Sequence, residues 1–183
     1  MNTLKVITTN EGKFTEFGSA LADIGLNLER VNIAYPEIQA DTLGEVVTFG
    51  MQWLNRKLSK PYVIDDSGLF IGGLGGFPGV YSSYAYRTLG NAGILALMDA
   101  TGDRSAVFRT VIGLSSDKGH FLFEGECAGS ITREQTGTRG FGFDPIFKPS
   151  GSAMTFGQMA TGEKNAVSHR GAALKKLKDA LKS

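Results

Sequence analysis

Cysteine and long apolar runs are nearly absent from this sequence of 183 residues. The single cysteine, Cys127, cannot form an internal disulfide, and no Cys/His spacing resembles a structural zinc site. The first apolar stretch, residues 4–7, is far too short for a signal peptide, and no later run approaches the roughly 18 residues of a membrane span. We therefore expect a cytoplasmic protein with no membrane partner.

An excess of charge of either sign is also lacking. Nineteen basic and 18 acidic residues leave a formal net charge of +1, which provides no global field for holding a nucleic-acid backbone. We expect no nucleic-acid partner, and any phosphate must be bound by a local site. The length is that of one domain, spanning residues 1–183.

The hydrophobic pattern predicts an α/β protein with a mixed sheet. Strands are expected at residues 4–7, 28–34 and 62–64. Helices are expected at 11–24, ending at Gly25, at 42–58 and from about Ser168 onward. Two long β-rich segments, 105–114 and 121–131, flank a turn at 116–119 and predict a hairpin.

The first segment with chemical potential follows the first strand and reads Thr8-Thr9-Asn10-Glu11-Gly12-Lys13. Free N–H groups and the positive dipole end make such a helix start a favourable anion site. Lys13 lies about one turn into the helix, where its ammonium can reach a phosphate. The alternative is that Thr9 or Asn10 only caps the helix. The spacing is not that of a Walker A motif.

A second segment, Asp65-Asp66-Ser67-Gly68, follows the predicted strand 62–64. Ligands usually bind at the carboxyl ends of strands in α/β sheets, and two carboxylates there suit a metal ion. A simple turn is the alternative, because all four residues are turn formers. Glu37, in Pro36-Glu37-Ile38-Gln39, is a further candidate metal ligand that nothing local distinguishes from a surface acid.

Two glycine-rich segments follow. Residues 72–83 contain too much glycine for a stable helix or strand and predict a tightly turned loop, a mobile lid or an ordinary long connection. Residues 138–147 alternate glycines with Phe141 and Phe143 before Asp144. An exposed aromatic face can stack on a base that neighbouring glycines let the backbone approach. Alternatively, both phenylalanines are core residues.

The last segment is Lys164-Asn165-Ala166-Val167-Ser168-His169-Arg170. Ser168 is a good N-cap, which places His169 and Arg170 in the first turn of the final helix, where the dipole disfavours cations. Our interpretation is that an anion or a base occupies the space in front of this helix. The alternative is a partly exposed pair that makes helix-end contacts.

The order of these segments along nearly the whole chain resembles that of the inosine triphosphate pyrophosphatases. The resemblance rests on Thr-Thr-Asn-Glu-Gly-Lys, Glu-Ile-Gln, Asp-Asp-Ser-Gly-Leu, Gly-Gly-Phe-Pro-Gly-Val-Tyr-Ser, Gly-Phe-Gly-Phe-Asp-Pro-Ile-Phe and Glu-Lys-Asn-Ala-Val-Ser-His-Arg. It implies an elongated mixed α/β fold with two lobes around a central cleft, generally in a homodimer. It also implies Mg²⁺-dependent hydrolysis of ITP, dITP and XTP to the monophosphate and pyrophosphate, which cleanses the nucleotide pool.

The resemblance assigns roles to individual residues. Glu37 and Asp66 bind Mg²⁺, and Asp66 is also the base for the attacking water. The remaining residues bind substrate: the triphosphate contacts Thr8, Thr9, Asn10, Glu11, Gly12 and Lys13, with Ser67 nearby, and the purine contacts Phe141, Gly142, Phe143, Asp144, Lys164, His169 and Arg170. The donors among these favour a 6-oxo purine over the 6-amino group of ATP, and rejection of GTP has to arise at position 2 of the base.

One position departs from the family pattern. Members often carry a lysine 16 residues before the active-site aspartate, where this chain has Gly50, so Lys57 and Arg87 are candidates for the missing phosphate contact. Two other functions are open on the sequence alone. One is a pyrophosphatase of modified pyrimidine nucleotides, and the other is a nucleotide-binding or RNA-binding module that uses Phe141 and Phe143 for stacking.

Overall fold

A computed structural model describes residues 3–182, so residues 1, 2 and 183 of the predicted 1–183 domain lie outside the described part. The seven described strands are β1 (Thr3–Ile7), β2 (Asn27–Val31), β3 (Tyr62–Ile71), β4 (Pro78–Gly79), β5 (Ser105–Ser116), β6 (Gly119–Ile131) and β7 (Phe147–Pro149). The α-helices in the same range are α1 (Glu11–Leu21), α2 (Leu43–Leu54), α3 (Ser82–Met98), α4 (Thr161–Val167) and α5 (His169–Lys182).

The strands form one mixed sheet in the order β2-β1-β3-β5-β6-β7, with β4 paired to β3. Strand β1 is parallel to both β2 and β3, whereas β3, β5, β6 and β7 follow one another antiparallel. This confirms the predicted mixed α/β sheet and its β5–β6 hairpin. Among residues 3–182 there is no helix long and apolar enough to cross a membrane.

Strand β3 differs from its prediction in a way that matters for the site. It does not end at Ile64 but continues to Ile71, so Asp65-Asp66-Ser67-Gly68 lies inside the strand and is not a turn. Residues 62–71 all pair with β5, and this ladder outweighs the turn propensity of the segment. The parallel ladder with β1 covers only Tyr62 and Val63. The pairing with β1 ends at Val63, so Asp65 and Asp66 lie in the part of β3 that is no longer paired to β1.

Local signals explain the helix boundaries. Asn10 caps α1, and after Leu21 the chain makes a 3₁₀ turn to Gly25, which ends it with a left-handed φ of 68°. Thr42 begins α2 with a capping box, and the helix stops at Leu54, one turn before the predicted end at residue 58. Strand β2 likewise ends at Val31, before the predicted residue 34.

The glycine-rich segment 72–83 is an ordered, tightly turned connection. It contains a 3₁₀ turn, strand β4 and the first residues of α3. Helix α3 has no counterpart in the sequence-based prediction. Its regular backbone is interrupted at Gly90, where φ is 63°, and the residues it buries include the polar Ser82 and Asn91. Such a helix has no continuous apolar stripe that periodicity could detect.

Buried side chains lie on both faces of the sheet. One cluster joins Leu4 and Val63 to Phe17 of α1 and Leu174 of α5. A second joins the sheet to α2, and a third packs α3 and residues 143–159 against the far ends of β3 and β5. These clusters fix the positions of the segments around the cavity described next.

Candidate active site

Six separate segments of the chain, together with Phe108 of β5, line one cavity of about 600 Å³. The segments are the β1–α1 turn, residues 33–37 after β2, the middle of β3, the first turns of α3, residues 140–144 and the α4–α5 region. A cavity of this size accommodates a small ligand such as a nucleotide. Its lining includes these sequence-predicted residues: Thr8, Thr9, Asn10, Lys13, Glu37, Asp66, Ser67, Phe141, Gly142, Phe143, Asp144, Lys164, His169 and Arg170.

The β1–α1 turn is held by its own polar groups. The Asn10 backbone N–H donates to Thr8 Oγ1, and the Lys13 backbone N–H donates to Asn10 Oδ1, both at 3.1 Å. Asn10 is therefore a helix cap, as the alternative interpretation held, and it also lines the cavity. Arg30 of β2 braces the turn by donating to the carbonyls of Thr8 and Thr9, at 3.3 and 2.8 Å. No local sequence pattern marks Arg30 for this role.

Lys13 does not reach into the cavity as a free cation. Its ammonium contacts the carboxylate and the backbone carbonyl of Asp65, each at 3.2 Å. Burial acts to raise the pKa of Asp65, but the nearby Lys13 and Arg170 hold that pKa below its ordinary value. Asp65 is thus an ionised structural carboxylate, and Asp66 is the member of the pair with an available charge.

Asp66 and Glu37 are carboxylates with no cation in ion-pair contact among residues 3–182. Asp66 accepts a hydrogen bond of 2.9 Å from the backbone N–H of Ser67. Burial raises the pKa of Asp66 to about 6, with Lys13 opposing and the charges of Asp65 and Glu37 adding to the rise. Tyr35, which sequence analysis missed, closes this side by donating to the Asp65 carbonyl at 3.4 Å.

These carboxylates fit a magnesium ion. Residues 3–182 contain no cluster of three or more His, Cys, Asp or Glu side chains arranged for a metal. Mg²⁺ does not need one, because it commonly binds one or two carboxylates together with water and substrate phosphates. Asp66 and Glu37 line the same cavity without a cation in ion-pair contact among residues 3–182, and hard oxygen donors of this kind are those the ion prefers.

Arg170 connects three parts of the fold from a fully buried position. Its Nε donates to Asp65 at 3.1 Å, its Nη2 to Ser67 Oγ at 2.8 Å, and its Nη1 to Glu16 of α1. The charge at the start of α5 is therefore balanced by protein carboxylates. The His169–Arg170 pair is buried, so the alternative of a partly exposed pair is wrong, and a ligand in front of the helix stays a prediction.

Lys164 of α4 makes ion pairs in the same buried region. Its ammonium lies 2.6 Å from Asp144 and 2.7 Å from Glu16, and 4.6 Å from the centre of the Phe141 ring. Burial acts to raise the pKa of Glu16, but Arg170 and Lys164 together hold it below its ordinary value. Glu16 is another residue that sequence analysis missed, since its partners are about 150 positions away along the chain.

His169 is a buried neutral imidazole in the cavity wall. Its ring stacks on Phe108 with centroids 4.6 Å apart and planes 9° apart. Burial, with the nearby charges of Arg170 and Lys164, brings the pKa of His169 well below its ordinary value. Its Nδ1 atom is buried without a hydrogen-bond partner in the described chain, which leaves a polar atom for a ligand to satisfy.

The two phenylalanines have different environments. Phe141 is half-buried, and its ring packs where a Cβ at Gly12 would overlap it. Phe143 is a core side chain with 4% exposure that meets Tyr86 edge to face. Of these two residues only Phe141 is partly exposed, so Phe141 and Phe143 do not form the pair of stacking platforms that the RNA-binding alternative requires.

Other predicted residues lie outside the lining. Among the described residues, Glu11 and Gly12 are on α1 and do not contribute to it. Lys57 does not either, because its ammonium lies over the Trp53 ring, 4.4 Å from the centroid. Arg87 does line the cavity. At Gly50 a Cβ would approach Tyr35 to 2.8 Å, so this packing leaves no room for a lysine there.

Together, the fold and the cavity define a class: a mixed α/β protein with a cavity lined by carboxylates, cations and an aromatic ring. The chain belongs to the Ham1 family, whose model matches residues 4–180.

Individual relatives cover nearly the whole chain. A dITP/XTP pyrophosphatase of Pyrococcus horikoshii is 51% identical over 176 residues, covering 96% of this chain and 95% of that protein. A dITP/XTP pyrophosphatase of Thermococcus kodakarensis is 45% identical over 179 residues, covering 98% and 97%. The solved structure of a HAM1 protein from Coxiella burnetii is 32% identical, with a TM-score of 0.83 and coverage of 100% and 99%.

Proposed function

We propose that this protein is a Mg²⁺-dependent nucleoside triphosphate pyrophosphatase. Its substrates are the non-standard purine nucleotides dITP, XTP and ITP, and its products are the nucleoside monophosphate and pyrophosphate. The observation that carries the proposal is that one cavity joins the carboxylate of Asp66 to the aromatic and cationic groups around Phe141 and Lys164. The dITP/XTP pyrophosphatases that the chain resembles support the same activity.

The reaction we propose is attack of water on the α-phosphorus with pyrophosphate as the leaving group. Asp66 is the base, because a carboxyl with a pKa of about 6 is mostly ionised at neutral pH and can accept a proton from water. Ser67 and Lys13 lie beside it and contact the phosphates. Asp65 fixes Lys13 in this position through their ion pair of 3.2 Å.

The cofactor we propose is Mg²⁺, held by Asp66 and Glu37. When bound, it neutralises part of the triphosphate charge and polarises the phosphoryl oxygens. Both carboxylates belong to the cavity lining, and their charge has no other cationic partner in residues 3–182. This charge is the reason the carboxylates would repel a triphosphate without the ion.

Recognition of the base is assigned to the other lining groups. Phe141 offers a ring face, and the unpartnered Nδ1 of His169 offers a polar contact. A base that leaves a buried polar group of the site unpaired loses about 1–3 kcal/mol of binding free energy for each such group. We infer that Nδ1 of His169 carries the ring proton and donates it to the 6-oxo group of the purine, so that the 6-amino group of ATP would leave this donor unpaired.

We also propose that the protein acts as a homodimer of single-domain chains, works in the cytoplasm and removes non-standard nucleotides from the precursor pool. The absence of an internal disulfide, with Cys127 buried and free, is compatible with a reducing compartment.

Release of pyrophosphate tests the proposal directly. Purified protein is incubated with dITP, XTP, ITP, ATP and GTP, with Mg²⁺ or with a chelator. We expect fast release from the first three nucleotides with Mg²⁺ and loss of release with the chelator. Equal turnover of ATP and ITP would refute the selectivity, and release from none of the nucleotides would refute the enzyme.

The variant Asp66→Asn tests the role of the proposed base. We expect a loss of kcat of about 10²-fold or more, since removal of a general base typically costs 10²–10⁴-fold. Asp179→Asn is the matched control, because Asp179 is an exposed acid on α5 outside the cavity lining of the described chain. Full activity in Asp66→Asn would remove Asp66 from the catalytic role.

A further inference from the structure

Most of the positive charge at the cavity is already neutralised by the protein. Four cations line it: Lys13, Arg87, Lys164 and Arg170. Lys13 pairs with Asp65, and Lys164 and Arg170 pair with Glu16, Asp144 and Asp65. Three cations and three carboxylates therefore form a cluster without net charge. A polyphosphate that enters the cavity gains little long-range attraction from this cluster.

Arg87 is the exception. No carboxylate lies within ion-pair distance of Arg87 in residues 3–182, and its side chain is exposed on the second turn of α3. Within the described part of the chain, its side chain makes one hydrogen bond, from Nη1 to Ser83 Oγ at 2.7 Å, across one turn of the same helix. Both residues belong to the cavity lining. The bond orients the guanidinium and leaves most of its donors available.

An unpaired guanidinium suits one class of ligand. Its planar donors match the oxygens of phosphate. The lining carboxylates Glu37 and Asp66 do not pair with it, so the free positive charge and the free negative charges of the cavity remain separate. This separation leaves Arg87 available for an anionic ligand.

We propose that Arg87 is a polyphosphate-binding residue of this cavity and supplies the free positive charge that Lys13, Lys164 and Arg170 lack. This inference rests on the proposed function, because it assumes that a nucleotide triphosphate occupies the cavity. It assigns Arg87 to the phosphate chain and not to the base or the sugar.

Calorimetric titration with two probes tests the assignment. Inorganic tripolyphosphate, titrated in buffer containing Mg²⁺, reports on the phosphate contacts, and inosine reports on the base contacts. For Arg87→Gln we expect the affinity for tripolyphosphate to fall about tenfold or more, the loss typical of one charge-assisted contact. Affinity for inosine should not change. Arg87→Lys should recover most of the loss, and KM for XTP should follow the tripolyphosphate affinity.

Lys57→Gln is the matched control. It removes the same charge from a side chain that lies over Trp53, outside the cavity lining of the described chain. We expect its tripolyphosphate affinity to equal that of the wild type, and far-ultraviolet circular dichroism and the melting temperature should show that all variants are folded.

Several results would overturn the assignment. These are unchanged tripolyphosphate binding in Arg87→Gln, an equal loss in Lys57→Gln, or no tripolyphosphate binding by the wild type. The proposed function is judged separately by pyrophosphate release from the wild type. If no nucleotide is hydrolysed but tripolyphosphate binding still depends on Arg87, the enzyme proposal falls and the Arg87 assignment stands.

Discussion

Replacement of Glu16 by glutamine measures how much the buried charge cluster stabilises the fold. The Glu16 side chain is 4% exposed and contacts both Lys164 and Arg170, whose side chains are 4% and 1% exposed. Glu16→Gln keeps the shape and one acceptor oxygen but leaves the cluster with one uncompensated buried positive charge. Breaking a buried ion pair typically costs about 3–5 kcal/mol.

The stability that we expect Glu16→Gln to lose is somewhat smaller than this typical value. Lys164 keeps Asp144 and Arg170 keeps Asp65, so each cation retains one carboxylate. We therefore expect the free energy of unfolding to fall by about 2–4 kcal/mol, which lowers the melting temperature of a protein of this size by about 5–15 °C. Urea unfolding at neutral pH measures it, and Glu29→Gln, an exposed acid on β2, is the control.

The pH dependence gives a second check with a definite sign. The pKa of Glu16 lies below its ordinary value of 4.5, so its ionised form is favoured by folding. Its contribution is complete above pH 4.5 and is lost as the pH falls through the lowered folded-state value. The stability gap between wild type and Glu16→Gln should narrow over that acidic range. A gap below about 0.5 kcal/mol at neutral pH would refute the reasoning.

Two other predictions use positions at and away from the cavity. Gly12→Ala should displace the Phe141 ring and weaken XTP binding, whereas Gly18→Ala, where a Cβ meets no atom within 4 Å, should stabilise α1 by about 0.5–1 kcal/mol in urea unfolding. If Gly18→Ala weakened XTP binding as much as Gly12→Ala, the predicted contact between residue 12 and the Phe141 ring would be contradicted. Burial raises the pKa of Cys127 to about 11, so a thiol reagent at pH 8 should label it only after unfolding, and rapid labelling of the native protein would refute its placement in the core.

The elements that sequence analysis predicted correctly carry strong local signals. Strand β1 is a short apolar run, α2 has an apolar stripe behind a capping Thr42, and Gly119 ends a turn between two β-rich segments. In each case the residues that decide the structure lie within a few positions of one another. Periodicity and turn chemistry are sufficient under that condition.

Contacts between residues far apart in the sequence account for the features that sequence analysis missed. Asp65-Asp66-Ser67-Gly68 has the composition of a turn, and only its pairing with residues 109–112 of β5 makes it a strand. The motifs at residues 8–13, 65–67 and 164–170 all contribute residues to one cavity. Which cation contacts which carboxylate could not be predicted, because Arg170 meets Asp65 and Glu16 from 105 and 154 residues away.

The distance along the chain between Glu16 and its partners also sets the order in which these residues are synthesised. The ribosome releases the chain from its N-terminus at about 5–20 residues per second, so Glu16 emerges several seconds or more before Lys164 and Arg170. Until then, burying its carboxylate would strand a charge without a partner. We therefore expect the buried contacts of Glu16 in α1 to form only after α4 and α5 have been made. The wall of the cavity is likewise completed only when α4 and α5 have been made, because Lys164, His169 and Arg170 belong to its lining.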